Sequence, residues 1–286
     1  MNAADARSIA GRWVAEEASR TRGELLGAFT WGSVNWMAAE EPFPETSDLD
    51  LAVVVPLLDP ERHRVRKSAY AELVIEPFYL PSERFGSTER LLADCAVAPN
   101  LVDGTVLLDP GGRLQGLRAE MAPELGRRRW VRLRCRDRRD QALSLVVAFE
   151  TSESLAYLNG VCCAAVLAIA QMALIADLRN PTVKKALLKA RDVLAAYGRA
   201  DEHRALLRLL GGADLRDEDV LAVASHCRAA LEEACRWLRT PFPPDNLVGM
   251  GTVAEARSRV RACRLALQRM TDVSDDIVSR NPRAFD

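Results

Sequence analysis

Apolar residues change their spacing along this chain near residue 120. Ahead of that point they form short runs bounded by turn-forming residues, at Leu25–Trp31, Leu49–Val55, Leu73–Leu80 and Thr105–Leu108. Runs of this length, rich in β-branched and aromatic residues, predict strands. Polar stretches between them, such as Ser82–Ala96, predict helices. The first segment, Ala6–Arg20, sets Ile9, Trp13 and Val14 among charges at the spacing of an amphipathic helix. Pro42 and Pro44, followed by Thr46-Ser47, predict a loop, because prolines so close together cannot continue a helix. From about Glu120 the pattern is helical, and breakers at Asn180-Pro181, Gly198, Gly211-Gly212 and Pro241–Pro244 divide it into about five helices. One of these can run from Pro123 to Phe149. The expected organisation is an α/β domain over residues 1–120 followed by an all-α bundle over residues 121–286.

Composition narrows the class. The 286 residues suffice for two buried cores. The seven cysteines are odd in number, contain no CxxC pair, and several lie in apolar helical stretches, so free thiols in a reducing cytoplasm are expected rather than a disulfide scaffold. The start, Met1–Asp5, lacks the basic-then-apolar layout of an export signal. The longest apolar run, about Val161–Ile175, is broken by Gln171 and closed by Asp177, which predicts a buried helix rather than a membrane span. With 39 basic and 40 acidic residues, the net charge of −1 supplies no field to gather a polyanion, so nucleic acid is not an expected partner. Residues 127–139 carry eight arginines in thirteen positions; they are read as a solvated helix face, with a phosphate grip as the alternative.

The chemistry concentrates in Gly27–Val55. Gly32-Ser33 is followed by fourteen residues and then by Asp48-Leu49-Asp50, which opens an apolar run. Residues two apart on a strand share a face, so Asp48 and Asp50 present paired carboxylates while Leu49 and Leu51 turn into the core. Hard oxygen ligands of this kind suit Mg²⁺, which commonly takes one or two protein carboxylates together with substrate phosphates. A glycine lets backbone approach a triphosphate closely, and the Ser33 hydroxyl and helix-start N–H groups suit phosphate oxygens; a short helix over Val34–Ala39 is expected here.

In this order and at this separation, the Gly-Ser and the acid–apolar–acid triplet resemble the DNA polymerase beta-like nucleotidyltransferase superfamily. Within it, the chain looks most like the small bacterial enzymes that modify aminoglycoside and lincosamide antibiotics. The resemblance covers about residues 23–110. It implies a mixed sheet in the first domain and Mg²⁺-dependent transfer of a nucleoside monophosphate, with ATP the expected donor. The implied acceptor is a hydroxyl of a small molecule such as an aminoglycoside-like antibiotic, and pyrophosphate leaves. It further implies that Gly32 and Ser33 bind the nucleotide and that a third carboxylate joins Asp48 and Asp50 in holding the metal. Glu72 and Glu76 are the candidates; four apart, they would share one strand face, and position within the apolar run favours Glu76 because an ionised group there needs a compensating role. The general base is one of these carboxylates, or Glu150 or Glu153 at the start of the helical half. Lys184, Lys185 and the arginine run are candidate cations for the leaving pyrophosphate, and pairing of subunits into a homodimer is expected. Transfer to a protein or RNA acceptor, and a non-catalytic nucleotide-binding module, stay open as alternatives.

Other chemistry has less support. His63, His203 and His226 are far apart and none has metal-ligand spacing to a cysteine or another histidine, so zinc is not expected. No serine-hydrolase elbow, P-loop or dinucleotide fingerprint is present. Asn180 reads as the cap of a helix whose first residue is Pro181. The acidic loop Glu40–Glu45 would favour a cationic acceptor.

Overall fold

The computed structural model describes residues 1–21, 24–59, 67–212 and 253–286, with His63 and a few single positions between 216 and 229. His226, Cys227, Cys235 and the break at Pro241–Pro244 lie outside the described residues. The chain divides into two compact units: one of Met1–Asp137, Leu174–Lys184 and Asp275–Asp286, the other of Arg138–Ala173 and Lys185–Ser274.

In the first unit, helix α1 (Ala3–Arg20) precedes strands β1 (Gly27–Trp31), β2 (Leu49–Val55), β3 (Ser68–Tyr70), β4 (Leu73–Pro81) and β5 (Val106–Leu108). Between β4 and β5 lie helices α2 (Thr88–Ala93) and α3 (Val97–Asp103); α4 (Arg113–Met121) follows β5, and α5 starts at Arg128 and runs to Phe149. The strands form one sheet in the order β3-β4-β2-β1-β5. β2 runs parallel to β4, whereas β1 is antiparallel to both β2 and β5, and β3 is antiparallel to β4. The sheet is therefore mixed, and mostly helical segments follow it, as expected.

The central strand β2 alternates between two cores. Leu49, Leu51, Val53 and Val55 of β2 pack with Ile9, Trp13 and Val14 of α1 on one face. Ala52 and Val54 pack with Phe29, Leu91, Leu101 and Leu117 on the other. A fully buried Leu or Val contributes about 1.5–3 kcal/mol, so a one-residue slip of β2, which would exchange its two faces, is strongly resisted. Asn2 caps α1 with a reciprocal bond to Asp5, which satisfies two end groups of that helix.

Two expectations for this half need correction. Ser82–Ala96 is not one helix but a 3-10 turn over Ser82–Phe85 followed by α2, whose cap is Ser87. β3 has no apolar run to announce it; it forms because Ala71, with φ 51°, and Glu72 turn the chain back in two residues. Pro77 is tolerated within β4 because the pairing to β3 ends at Ile75, so the missing N–H interrupts no ladder on that side.

The second unit is helical. It holds most of α5, of α6 (Leu155–Ala176) and of α9 (Val253–Arg280), together with α7 (Ala186–Ala196) and α8 (Ala200–Leu209). α6 is longer than its apolar run suggested, and by length and composition alone it could cross a membrane. Its most apolar stretch is 78% buried within the protein, which makes it a core helix. Cys162 of α6 and Cys263 of α9 lie buried with their sulfurs 3.4 Å apart, and the described cysteines are all free thiols.

Candidate active site

β2 and β4 bring the acidic residues together through their register. Asp50 lies directly opposite Glu76 in the parallel pair, and Asp48 stands just before β2 on the same face as Asp50. A carboxylate oxygen from each of Asp48, Asp50 and Glu76 lies within 4.8 Å of the other two. All three side chains are partly exposed, at the end of β2 where its burial begins. Glu72, the other candidate for the third position, sits in the exposed two-residue turn between β3 and β4 and not on the strand.

On the neighbouring strand, Trp31 pairs with Asp50, and the chain leaves β1 through a 3-10 turn over Gly32–Trp36. This turn replaces the expected helix over Val34–Ala39. Gly32 has φ +75°, and a Cβ on it would run into the Asp50 carboxylate, so the glycine is required both by conformation and by close approach. The turn is tied on both sides of the sheet. Asn100 of α3 accepts from the Gly32 N–H at 2.8 Å and from Asn35 Nδ2 at 3.0 Å, while Asn35 also donates to the Thr30 carbonyl at 2.9 Å. Arg7 of α1 donates to the carbonyls of Val34 and Met37 at 2.5 and 2.8 Å. Ser33 stands exposed at the start of the turn.

Two lysines face the carboxylates. Lys67 forms ion pairs with Asp48 Oδ2 and, at 3.0 Å, with Glu76 Oε2. Lys184 reaches Asp48 Oδ1 at 3.1 Å. These contacts divide the carboxylates. Burial alone would raise Asp48, but hydrogen bonds from Lys67 and then Lys184 hold it well below the usual carboxylate range. Among the described residues Asp50 has no such donor; burial, then the charges of Asp48 and Glu76, push it up to about 7. Bonds to Asp48 and Glu76 hold the Lys67 proton more tightly than in free lysine.

The donor set fits a divalent hard cation. All the ligand atoms are carboxylate oxygens, and Mg²⁺ binds oxygen at about 2.0–2.1 Å, so two ligands of one ion lie at most about 4.2 Å apart; carboxylate oxygens already within 4.8 Å of one another reach that separation with small side-chain rotations.

Other predicted positions fall elsewhere or are already engaged. In the second unit, Glu153 pairs with Arg257, and Glu150 lies 3.4 Å from Arg264. Asn180 is buried and caps nothing at Pro181, because α7 starts at Ala186 with Lys185 before it. The arginine run is neither a uniformly solvated face nor an open phosphate grip. Arg134 is buried and donates to the carbonyls of Leu92 and Leu125 at 3.0 and 2.7 Å. Arg128 pairs with Asp286, Arg129 with Glu124 and Arg132 with Asp275. A cavity in the helical unit, about 230 Å³ and lined by Ile169, Leu206, Leu209 and Met270, contains Glu202 and Arg269, which pair with each other at 2.6 Å.

Lys67, Asn100 and Arg7 were not singled out by the sequence. Lys67 arrives through a hairpin closing at Ala71-Glu72, which pairs Ser68 with Ile75 and so sets residue 67 opposite residue 76. That turn lacks the Gly or Asn that would announce it.

No family profile and no curated protein matches the chain. A crystal structure of a nucleotidyltransferase-like protein from Exiguobacterium sibiricum 255-15 aligns over 91% of this chain and 75% of its own, at 14% identity and a TM-score of 0.31. Similarity this distant leaves the site to be judged by its own geometry.

Proposed function

We propose that the protein is a nucleotidyltransferase that moves a nucleoside monophosphate from a nucleoside triphosphate to an acceptor hydroxyl. The observation that carries this reading is the convergence of Asp48, Asp50 and Glu76 from two parallel strands, beside a glycine turn that approaches Asp50 to contact distance. Bound at these carboxylates, Mg²⁺ would neutralise phosphate charge and lower the proton affinity of the attacking hydroxyl. Asp48, Asp50 and Glu76 would hold it. The Gly32–Trp36 turn and Ser33 receive the phosphates; they are held in advance by Asn100 and Arg7, so little ordering cost falls on substrate binding. One of these carboxylates would take the hydroxyl proton, and Asp50, which lies beside the glycine turn and has neither Lys67 nor Lys184 on it, is the candidate.

ATP as donor and a small polyhydroxylated acceptor, such as an aminoglycoside-like antibiotic, form the finer reading. It is supported by the resemblance of the Gly-Ser and Asp-x-Asp pattern and by the acidic residues Glu40, Glu41 and Glu45. Free cysteines suit a cytoplasmic protein, and a homodimer is the proposed assembly. The test is pyrophosphate release from each nucleoside triphosphate with Mg²⁺, over aminoglycosides, lincosamides, small alcohols, RNA and protein acceptors, with Asp50→Asn as control. Acceptor-dependent release that disappears in the control supports the reading. Triphosphate binding with no turnover on any acceptor would replace it with a nucleotide-binding module.

A further inference from the structure

Two of the three carboxylates of the proposed site, Asp48 and Glu76, are already engaged by ammonium groups of the same chain. Lys67 contacts Asp48 and Glu76 together through one ammonium group, and Lys184 takes the remaining oxygen of Asp48. Each oxygen of Asp48 thus carries one ammonium. The position of Lys67 is built rather than incidental, because the two-residue turn at Ala71-Glu72 extends the Ser68–Ile75 pairing and sets residue 67 opposite residue 76. The Lys67 side chain is 55% exposed while its two carboxylate partners are 14% and 17% exposed, so the lysine reaches in from solvent and can withdraw into it. A divalent ion on these oxygens and an ammonium in contact with them would repel each other.

We infer that Lys67 is a displaceable internal cation: it holds the Asp48–Glu76 pair in the metal-free protein and yields both carboxylates when a divalent ion binds, so that it sets the metal affinity of the site. The inference rests on the reading of Asp48, Asp50 and Glu76 as metal ligands. Lys67 is then a positioning residue, and its removal should tighten metal binding, the opposite of what loss of a supporting residue would do. Because the competing contacts are partly exposed, the expected gain is moderate, about three- to thirtyfold.

The test is Mn²⁺ binding to the full chain without nucleotide, read by the electron paramagnetic resonance of free Mn²⁺, for wild type, Lys67→Met, Lys67→Arg and Asp50→Asn. Tighter binding by Lys67→Met, with Lys67→Arg close to wild type, supports the inference. Unchanged or weaker binding by Lys67→Met overturns it. Asp50→Asn separates the two readings: if it loses Mn²⁺ while Lys67→Met is unchanged, only the role of Lys67 fails; if it binds Mn²⁺ as wild type does, the metal site itself fails and the role of Lys67 with it. A second measurement needs no Lys67 variant. Acetylation of Lys67 in the wild type, followed by peptide mass spectrometry, should accelerate when Mg²⁺ is added. A rate indifferent to Mg²⁺ at saturating concentration overturns the inference.

Discussion

Replacing Gly32 with alanine should impose two separable costs. The first is conformational: a φ of +75° in an L-residue costs about 1–2 kcal/mol. The second is steric, since the new Cβ would strike the Asp50 carboxylate, with Cγ at 3.2 Å and Cβ at 3.3 Å behind the nearest oxygen. Forcing an extra carbon into a packed site typically costs about 1–3 kcal/mol. Gly112 isolates the first cost, because its φ is +65° and an added Cβ would meet nothing within 4 Å. Urea unfolding of the full chain without metal should therefore place Gly112→Ala about 1 kcal/mol below wild type and Gly32→Ala about 2–4 kcal/mol below it. The excess should largely vanish in a cycle with Asp50→Ala, which removes the group that is struck. Gly32→Ala should also weaken Mn²⁺ binding, because Asp50 must move, whereas Gly112→Ala should not. Equal losses for the two glycine variants, with Mn²⁺ affinity unaltered in both, would refute the argument that Gly32 is needed for the approach to Asp50.

Other consequences can be checked directly. Asp50 is held near pH 7 by burial and then by its acidic neighbours, above its ordinary 3.8, so its contribution to the stability of the metal-free fold is fully present below about pH 4 and is lost as the pH rises to about 7. Asp48, held low, acts in the opposite sense: its contribution is fully present above about pH 4 and is lost as the pH falls below that. Urea midpoints should thus carry a downward component from Asp50 across that window that Asp50→Asn removes; identical pH profiles for wild type and variant would contradict the assignment. Glu76→Gln should abolish nucleotidyl transfer and weaken Mn²⁺ binding at least tenfold, about 1.4 kcal/mol, while Glu72→Gln in the hairpin turn leaves both within about twofold. Arg134→Leu strands the carbonyls of Leu92 and Leu125 and should destabilise the first unit by about 2–4 kcal/mol; Arg132→Leu in the same run, whose side chain is partly exposed, should change stability by less than about 1 kcal/mol. A melting-temperature comparison that ranked these two arginines equally would count against the scaffold role of Arg134.

What could be read from the chain alone was local. The alternation at Asp48-Leu49-Asp50-Leu51 determines that the two aspartates share a face, because a strand has a period of two whatever it later pairs with. Short apolar runs ahead of residue 120 and helical spacing beyond it likewise announced an α/β region followed by helices, since each element must bury one face of its own. The tertiary structure decided whatever depended on pairing. Glu72 and Glu76 have the same parity, so face alone could not separate them; depth in the apolar run favoured Glu76, and the turn at Ala71-Glu72 with the Asp50–Glu76 register sets it beside the aspartates and leaves Glu72 at a tip. Lys67 joined them through that same hairpin, and Lys184 from a segment 136 residues beyond Asp48. The arginine run shows the same limit. Its charges are visible in the sequence, but which arginine is buried against two carbonyls and which merely pairs at the surface is settled by neighbours brought in from other elements, because the cost of a charge depends on how far it is removed from water.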